Sequence, residues 1–340
     1  GIVGVVVSPD PGVSLGILAR LFSFAVVVVA VERLLLTHPA AIRHVLIAVF
    51  ASSLLPILVT VYQVASGNGL QLIDGFLRAP GTFVHPNEFA IYLGFLMIME
   101  AALALALRGR AQWLLGGLFV LTGACLLQTY ARGAWIAVAA GLFVVGLLHS
   151  RTTVVLLGIA GLLAIVLLPS VRGRFADLVQ PQPDRTEWGA PPNSLAWRLS
   201  HWSESIALAD HSPATGAGLG MVNADSQFEA HNDYVRAYAE TGIIGLAAYL
   251  WMMLGLARNV ARSIRFTKAR TAGRALAAGF AGCTVAFVAI SLTDNVITSL
   301  ADVWYFAALA ATATAAAAHV HSGIDSGIHL GRSHADPARQ

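Results

Sequence analysis

Charge is scarce in this sequence. Asp, Glu, Lys and Arg together make up 11% of its 340 residues, against 57% hydrophobic residues, and the mean hydropathy is +0.71. That is too apolar for an ordinary soluble domain. Lysine is nearly missing: of 21 basic residues only Lys268 is not arginine, so the choice of arginine at any one position says little by itself. The two cysteines, Cys125 and Cys283, lie inside separate apolar runs without a CxxC or other metal-ligand spacing, which excludes a disulfide framework and a cysteine zinc site. No two acidic residues stand two apart, so the paired-carboxylate device for a divalent ion is missing and no metal or other cofactor is implied. No charged n-region followed by a small-residue cleavage site is visible, so there is no evidence for a removable signal peptide. No internal repeat has a credible period.

What the chain has in quantity is long apolar runs. They fall at about residues 13–35, 42–65, 88–107, 112–130, 134–149, 153–169, 241–257, 275–292 and 301–318, each close to the length that crosses a bilayer as a helix. The expectation is an all-α, polytopic transmembrane bundle of nine complete spans. Residues 1–7 read as the tail of one more helix whose start precedes the chain. Residues 1–318 form a single membrane domain, with a long loop at 170–240 inserted in it, and residues 319–340 form a polar, disordered cytoplasmic tail.

Sidedness follows from the arginines. The loop at residues 258–274 carries Arg258, Arg262, Arg265, Lys268, Arg270 and Arg274, and the positive-inside rule places it in the cytoplasm. Alternating from there puts Arg33, Arg43, Arg108, Arg110, Arg151, Arg332 and Arg339 on the same side. The net charge of +3 thus reflects topology and does not call for nucleic acid. The opposite, outer side receives residues 8–12, 66–87, 130–133, 170–240 and 293–299. In the long loop a Pro-rich part, residues 180–192, precedes Leu195, Leu199, Trp202, Ile206 and Ala209 at helical spacing. This reads as an amphipathic helix on the membrane surface, with Ser194 as its cap, Pro213 beyond its end, and Trp197 and Trp202 suited to the headgroup zone.

Most of the candidate chemistry lies on that side. Arg132 stands in a very short break between two apolar runs. Its burial near lipid costs up to about 2.5–3.5 kcal/mol at a helix centre, so either an anionic ligand compensates it or it snorkels at a helix end. Arg198 has the fork that grips a phosphate, and it equally suits a solvated helix face. His231 is the candidate base, since an imidazole takes a proton at ordinary pH; the alternative is a helix-capping histidine. Asn232 can position a sugar or the imidazole. Arg236 and Glu240 have the spacing of a helical ion pair. Residues 215–220 (Thr-Gly-Ala-Gly-Leu-Gly) lack the strand and helix of a nucleotide fold, and either admit an anion or simply turn the chain.

Four separated patches resemble the O-antigen ligase and polymerase family of bacterial inner-membrane glycan transferases. They are residues 81–87 (Gly-Thr-Phe-Val-His-Pro-Asn), residues 131–135 (Ala-Arg-Gly-Ala-Trp), residues 198–220 with their Arg, Trp, Pro and Gly punctuation, and His231–Asn232 followed nine residues later by Gly242 and Gly245. The resemblance implies a glycan donor on undecaprenyl pyrophosphate, inverting transfer without a metal at the periplasmic face of the inner membrane, and an acceptor hydroxyl on lipid A core or another molecule. By position it makes His231 catalytic and Arg132, Arg198 and Asn232 substrate-binding, joined by Arg78, His85 and Asn87 beside the first patch. Family members carry further helices ahead of the point where this chain starts. Ligation, repeat-unit polymerisation and protein glycosylation are not separated by these motifs. A transporter would instead need polar groups at mid-membrane, and only Arg20 and Glu100 lie deep enough for that; a membrane scaffold would need none of these side chains.

Overall fold

The computed structural model describes residues 1–149, 151–176, 178, 194–226, 230–269 and 271–322. The Pro-rich segment at 180–192 and the tail beyond residue 322 lie outside the described residues. The chain runs through α1 (Ile2–Val6), α2 (Pro11–Thr37), α3 (Ala41–Ser52), α4 (Leu54–Ser66), β1 (Gln71–Ile73), β2 (Phe76–Arg78), α5 (Pro86–Ala106), α6 (Arg110–Gln128) and α7 (Arg132–His149). It continues through α8 (Arg151–Leu167), α9 (Pro169–Ala176), α10 (Ser194–Ala207), α11 (Met221–Ser226), α12 (Asp233–Phe266), α13 (Ala272–Ile290) and α14 (Leu300–His321).

This is a polytopic helical bundle. Among the described residues, α2, the α3–α4 pair, α5, α6, α7, α12, α13 and α14 are long and apolar enough to cross a membrane. The remaining apolar run forms α8, whose 17 residues span about 26 Å at 1.5 Å per residue, slightly short of a hydrocarbon core. The last span continues to His321, past the expected boundary at 318, where His319 Nε2 lies 2.8 Å from the Leu35 carbonyl oxygen.

Burial sorts the helices into centre and rim. In α5 and α13, 78% of the apolar window is buried within the protein, against 6% in α2. Phe95, Phe280, Phe287 and Phe306 interlock between α5, α13 and α14, with Phe287 and Phe306 centred 4.8 Å apart. α7 meets α13 through glycine: a Cβ at Gly141 would lie 2.7 Å from the Gly282 carbonyl oxygen, and one at Gly282 equally close to that of Gly141. Small residues let membrane helices approach backbone to backbone. The first turn of α7 is thereby pressed against the turn after α13, where a Cβ at Gly133 would collide with Thr293 Oγ1.

α12 is broken at Gly242, whose φ of 64° is left-handed. Residues 213–218 fill the break. Ile243 and Ile244 donate their N–H groups to the Pro213 and Ala214 carbonyls at 3.0 and 3.4 Å, while the Ala239 and Glu240 carbonyls accept from Ala217 and Gly218 at 2.9 and 3.0 Å. Backbone groups freed by a kink need such partners. The Ala217 and Gly218 amides thus mend the helix while those of Thr215, Gly216 and Leu219 bond the Ser212 and Gly4 carbonyls, which favours the reading that this segment turns the chain. Gly242→Ala would drive a Cβ into the backbone of Ala214 and Thr215 and add about 1–2 kcal/mol for the left-handed conformation. A clear fall in the thermal unfolding midpoint in detergent is expected; an unchanged midpoint would contradict this account of the kink.

Candidate active site

One short hairpin interrupts the helices. β1 and β2 pair antiparallel with Ile73 opposite Phe76, joined by Asp74 and Gly75 with φ of 52° and 76°. Positive φ at both positions is the two-residue turn that fits strand twist, and Asp-Gly is a favoured pair for it. The segment at 66–87 thus holds a hairpin inside a bundle read from sequence as all helix. It fixes Arg78, which is buried, donates Nε to the Thr129 carbonyl at 2.6 Å and bonds Asn87 Oδ1 through Nη2. His85 caps α5, its Nδ1 accepting from the Asn87 N–H at 3.1 Å.

Arg132 opens α7 two residues after Tyr130, whose φ of 50° turns the chain. It is buried, and its Nη1 donates to the Arg174 carbonyl at 2.5 Å. Arg174, on α9, donates Nε to the Tyr130 carbonyl at 3.0 Å, pairs through Nη2 with Asp74 Oδ2 at 3.2 Å, and lies over the Phe76 ring. Arg198, on α10, donates Nη1 to the Thr293 carbonyl at 2.5 Å. Arg78, Arg132, Arg174 and Arg198 line one cavity of about 370 Å³ together with Asp74, Asp294, His85, Asn87, Trp197 and His231. Among the described residues, four guanidiniums face two carboxylates there, a positive balance. Burial, followed by the charge of Arg174, pushes Arg78 down to about 10, and burial also lowers Arg198. Arginine remains cationic at neutral pH even so, and these buried cations favour an anion.

His231 is held in the left-handed region, φ 46°, a strained conformation for a residue with a side chain. The next two residues hold it there. Asp233 N–H donates to the Ser291 carbonyl at 2.8 Å, and Asn232 N–H to Asn295 Oδ1 at 3.3 Å. Asp233 Oδ2 accepts the N–H groups of Val296 and Ile297. The start of α12 is thus clamped to the 291–299 turn, which carries Asp294. His231 Nδ1 lies 3.3 Å from Asp294 Oδ1. Burial works against the charge of Asp294, but its hydrogen bond with His231 and the Arg198 charge prevail and hold its carboxyl below the usual range. An ionised carboxylate only accepts, so Nδ1 carries the proton and the Nε2 lone pair is left to act as a base.

Of the seven residues singled out from sequence, Arg78, His85, Asn87, Arg132, Arg198 and His231 border this cavity. Asn232 does not. Its Oδ1 accepts from the Tyr234 and Val235 N–H groups, and its Nδ2 donates to the Leu292 carbonyl at 3.2 Å. Its side chain caps α12 beside the imidazole, which agrees with the second of the two roles read from sequence, positioning the imidazole, and shows no feature of a substrate contact. Trp197, expected in the headgroup zone, lines the cavity, while Arg236 and Glu240 pair at 3.0 Å as their spacing suggested. Sequence reading missed Arg174, Asp74 and Asp294. Only Asp74 had a local signal, the Asp-Gly turn between Leu72–Ile73 and Phe76–Leu77.

A cavity of this kind can hold a doubly charged anion next to a base oriented by a carboxylate, at one end of a membrane bundle. A comparison with curated proteins gives no match. Residues 117–250 match the family model described as O-Antigen ligase, a segment running from within α6 to within α12. It supplies Arg132, Arg174, Trp197, Arg198 and His231 and leaves the hairpin and the 291–299 turn outside. Through this segment the chain is similar to the O-antigen ligase family.

Proposed function

We propose that this protein moves a glycan from an undecaprenyl-pyrophosphate carrier to an acceptor hydroxyl, with inversion and without a metal ion, at the periplasmic face of a bacterial inner membrane. The observation that carries the reading is the single cavity in which four buried or half-buried guanidiniums meet the His231–Asp294 pair. The acceptor oxygen attacks the anomeric carbon of the donor as the bond from that carbon to the pyrophosphate oxygen breaks. The acceptor proton passes to His231 Nε2, while Asp294 stabilises the imidazolium and keeps its orientation. The electron pair leaves on the pyrophosphate, where Arg132, Arg198, Arg78 and Arg174 offset the added charge. Pyrophosphate is already a good leaving group, so alignment and charge neutralisation are the main tasks. Lipid A core is the acceptor the family suggests; repeat-unit polymerisation and transfer to a protein hydroxyl use the same chemistry.

Transport fits less well. Arg20 lies exposed on α2 and Glu100 is sealed with Thr122 Oγ1 donating to it at 3.2 Å, and neither borders the cavity. The test is to incubate purified protein with a lipid-linked glycan and a panel of acceptors. One undecaprenyl pyrophosphate should be released per new linkage, with a ladder of chains marking a polymerase and a single transfer marking a ligase. Release of none, or uptake into proteoliposomes that persists in His231→Ala, would end the proposal.

A further inference from the structure

Trp197 has no role in the reaction as derived above, yet it lines the cavity. It precedes Arg198 on α10. His201, one turn further on, stacks on the indole with ring centroids 4.0 Å apart and planes 28° apart, and its Nδ1 lies 2.8 Å from the Trp197 carbonyl oxygen. On the cavity side the indole centroid is 5.6 Å from that of the His231 ring. Trp202 donates Nε1 to the Ala230 carbonyl at 2.9 Å, fastening the same helix to the residue before His231. Arg198 fastens it to Thr293. The indole is therefore fixed relative to both the base and a guanidinium.

The chemistry around it narrows what it meets. An aromatic face is electronegative and repels phosphate, so the anion belongs with the guanidiniums. A bare hydrocarbon chain is equally poorly served by walls that carry Arg78, Arg132, Arg198 and Asp294. A pyranose suits both surroundings: its C–H bonds on one face carry slight positive charge toward the indole, and its hydroxyls on the rim reach polar groups. Resting on the transfer reading above, we propose that Trp197 is the platform for the first sugar of the donor, holding its anomeric carbon between the guanidiniums and His231. Trp197 then sets which donors the enzyme accepts.

The experiment uses Trp197→Ala and Trp197→Phe in the purified protein, with steady-state KM for donor and acceptor and the Kd of bare and of glycosylated undecaprenyl pyrophosphate. Loss of one stacked aromatic contact should raise the donor KM about tenfold in Trp197→Ala, with the Kd of the bare carrier and the acceptor KM unchanged. Trp197→Phe should recover most of the loss. Equal weakening of bare and glycosylated carrier, or a rise confined to the acceptor KM, overturns the proposal. Absence of turnover in the wild type would count against the transfer reading alone. The binding arm then decides for Trp197: the wild type must hold the glycosylated carrier tighter than the bare one, and Trp197→Ala must erase that preference.

Discussion

His231→Ala is expected to lower kcat by about 10²–10⁴-fold, the usual worth of a positioned base, while the donor Kd stays close to that of the wild type. In the proposed reaction the imidazole takes the acceptor proton and the arginines hold the carrier phosphates, so binding and chemistry should separate. Asp294 sharpens the prediction. Its carboxylate fixes the Nδ1–H tautomer at 3.3 Å, and Asp294→Asn should lower kcat in the same direction. In the His231→Ala background that second change should add almost nothing, because residues that act as a unit are strongly non-additive. Burst and single-turnover kinetics read kcat apart from product release. A loss of donor binding in His231→Ala as large as the loss of turnover would contradict the assigned role.

Arg132→Ala should weaken donor binding as well as turnover, by about ten- to a hundredfold in Kd, the worth of a charge-assisted hydrogen bond of about 1.5–3 kcal/mol. Arg132 is buried at the start of α7 and reaches the Arg174 backbone, so its removal also loosens a neighbouring guanidinium. Arg132→Lys keeps the charge and forfeits the planar fork; little recovery of donor affinity is expected. Full recovery with lysine would mean that charge alone matters, and undiminished affinity in Arg132→Ala would remove Arg132 from the phosphate site.

The helical spans were legible because hydropathy and helical period are local properties. α10 was read nearly to its ends from Leu195, Leu199, Trp202 and Ile206, and the arginine loops marked one end of the bundle. Long-range packing was not legible. Asp294 stands 63 residues from His231, and only the clamp between 232–233 and 291–297 brings them together. Arg174 lies on a helix of eight residues, too short and too polar in its periodicity to stand out from a loop. The hairpin had its Asp-Gly signal, hidden between two long apolar runs. Asn232 and the glycines at 216–220 were visible as a pattern, but their work of capping and mending α12 depends on a kink that hydropathy does not report. Trp197 was read from amphipathicity as a lipid-surface residue, since a helical wheel separates faces without saying which one meets a cavity.

The central claim is that one cavity holds both the leaving pyrophosphate and the base. A structure of the protein with a bound lipid-linked glycan tests it most directly. The account places the two phosphates among Arg78, Arg132, Arg174 and Arg198, with the anomeric carbon turned toward His231 Nε2. Phosphates bound elsewhere on the bundle, with the imidazole remote from the sugar, would contradict it.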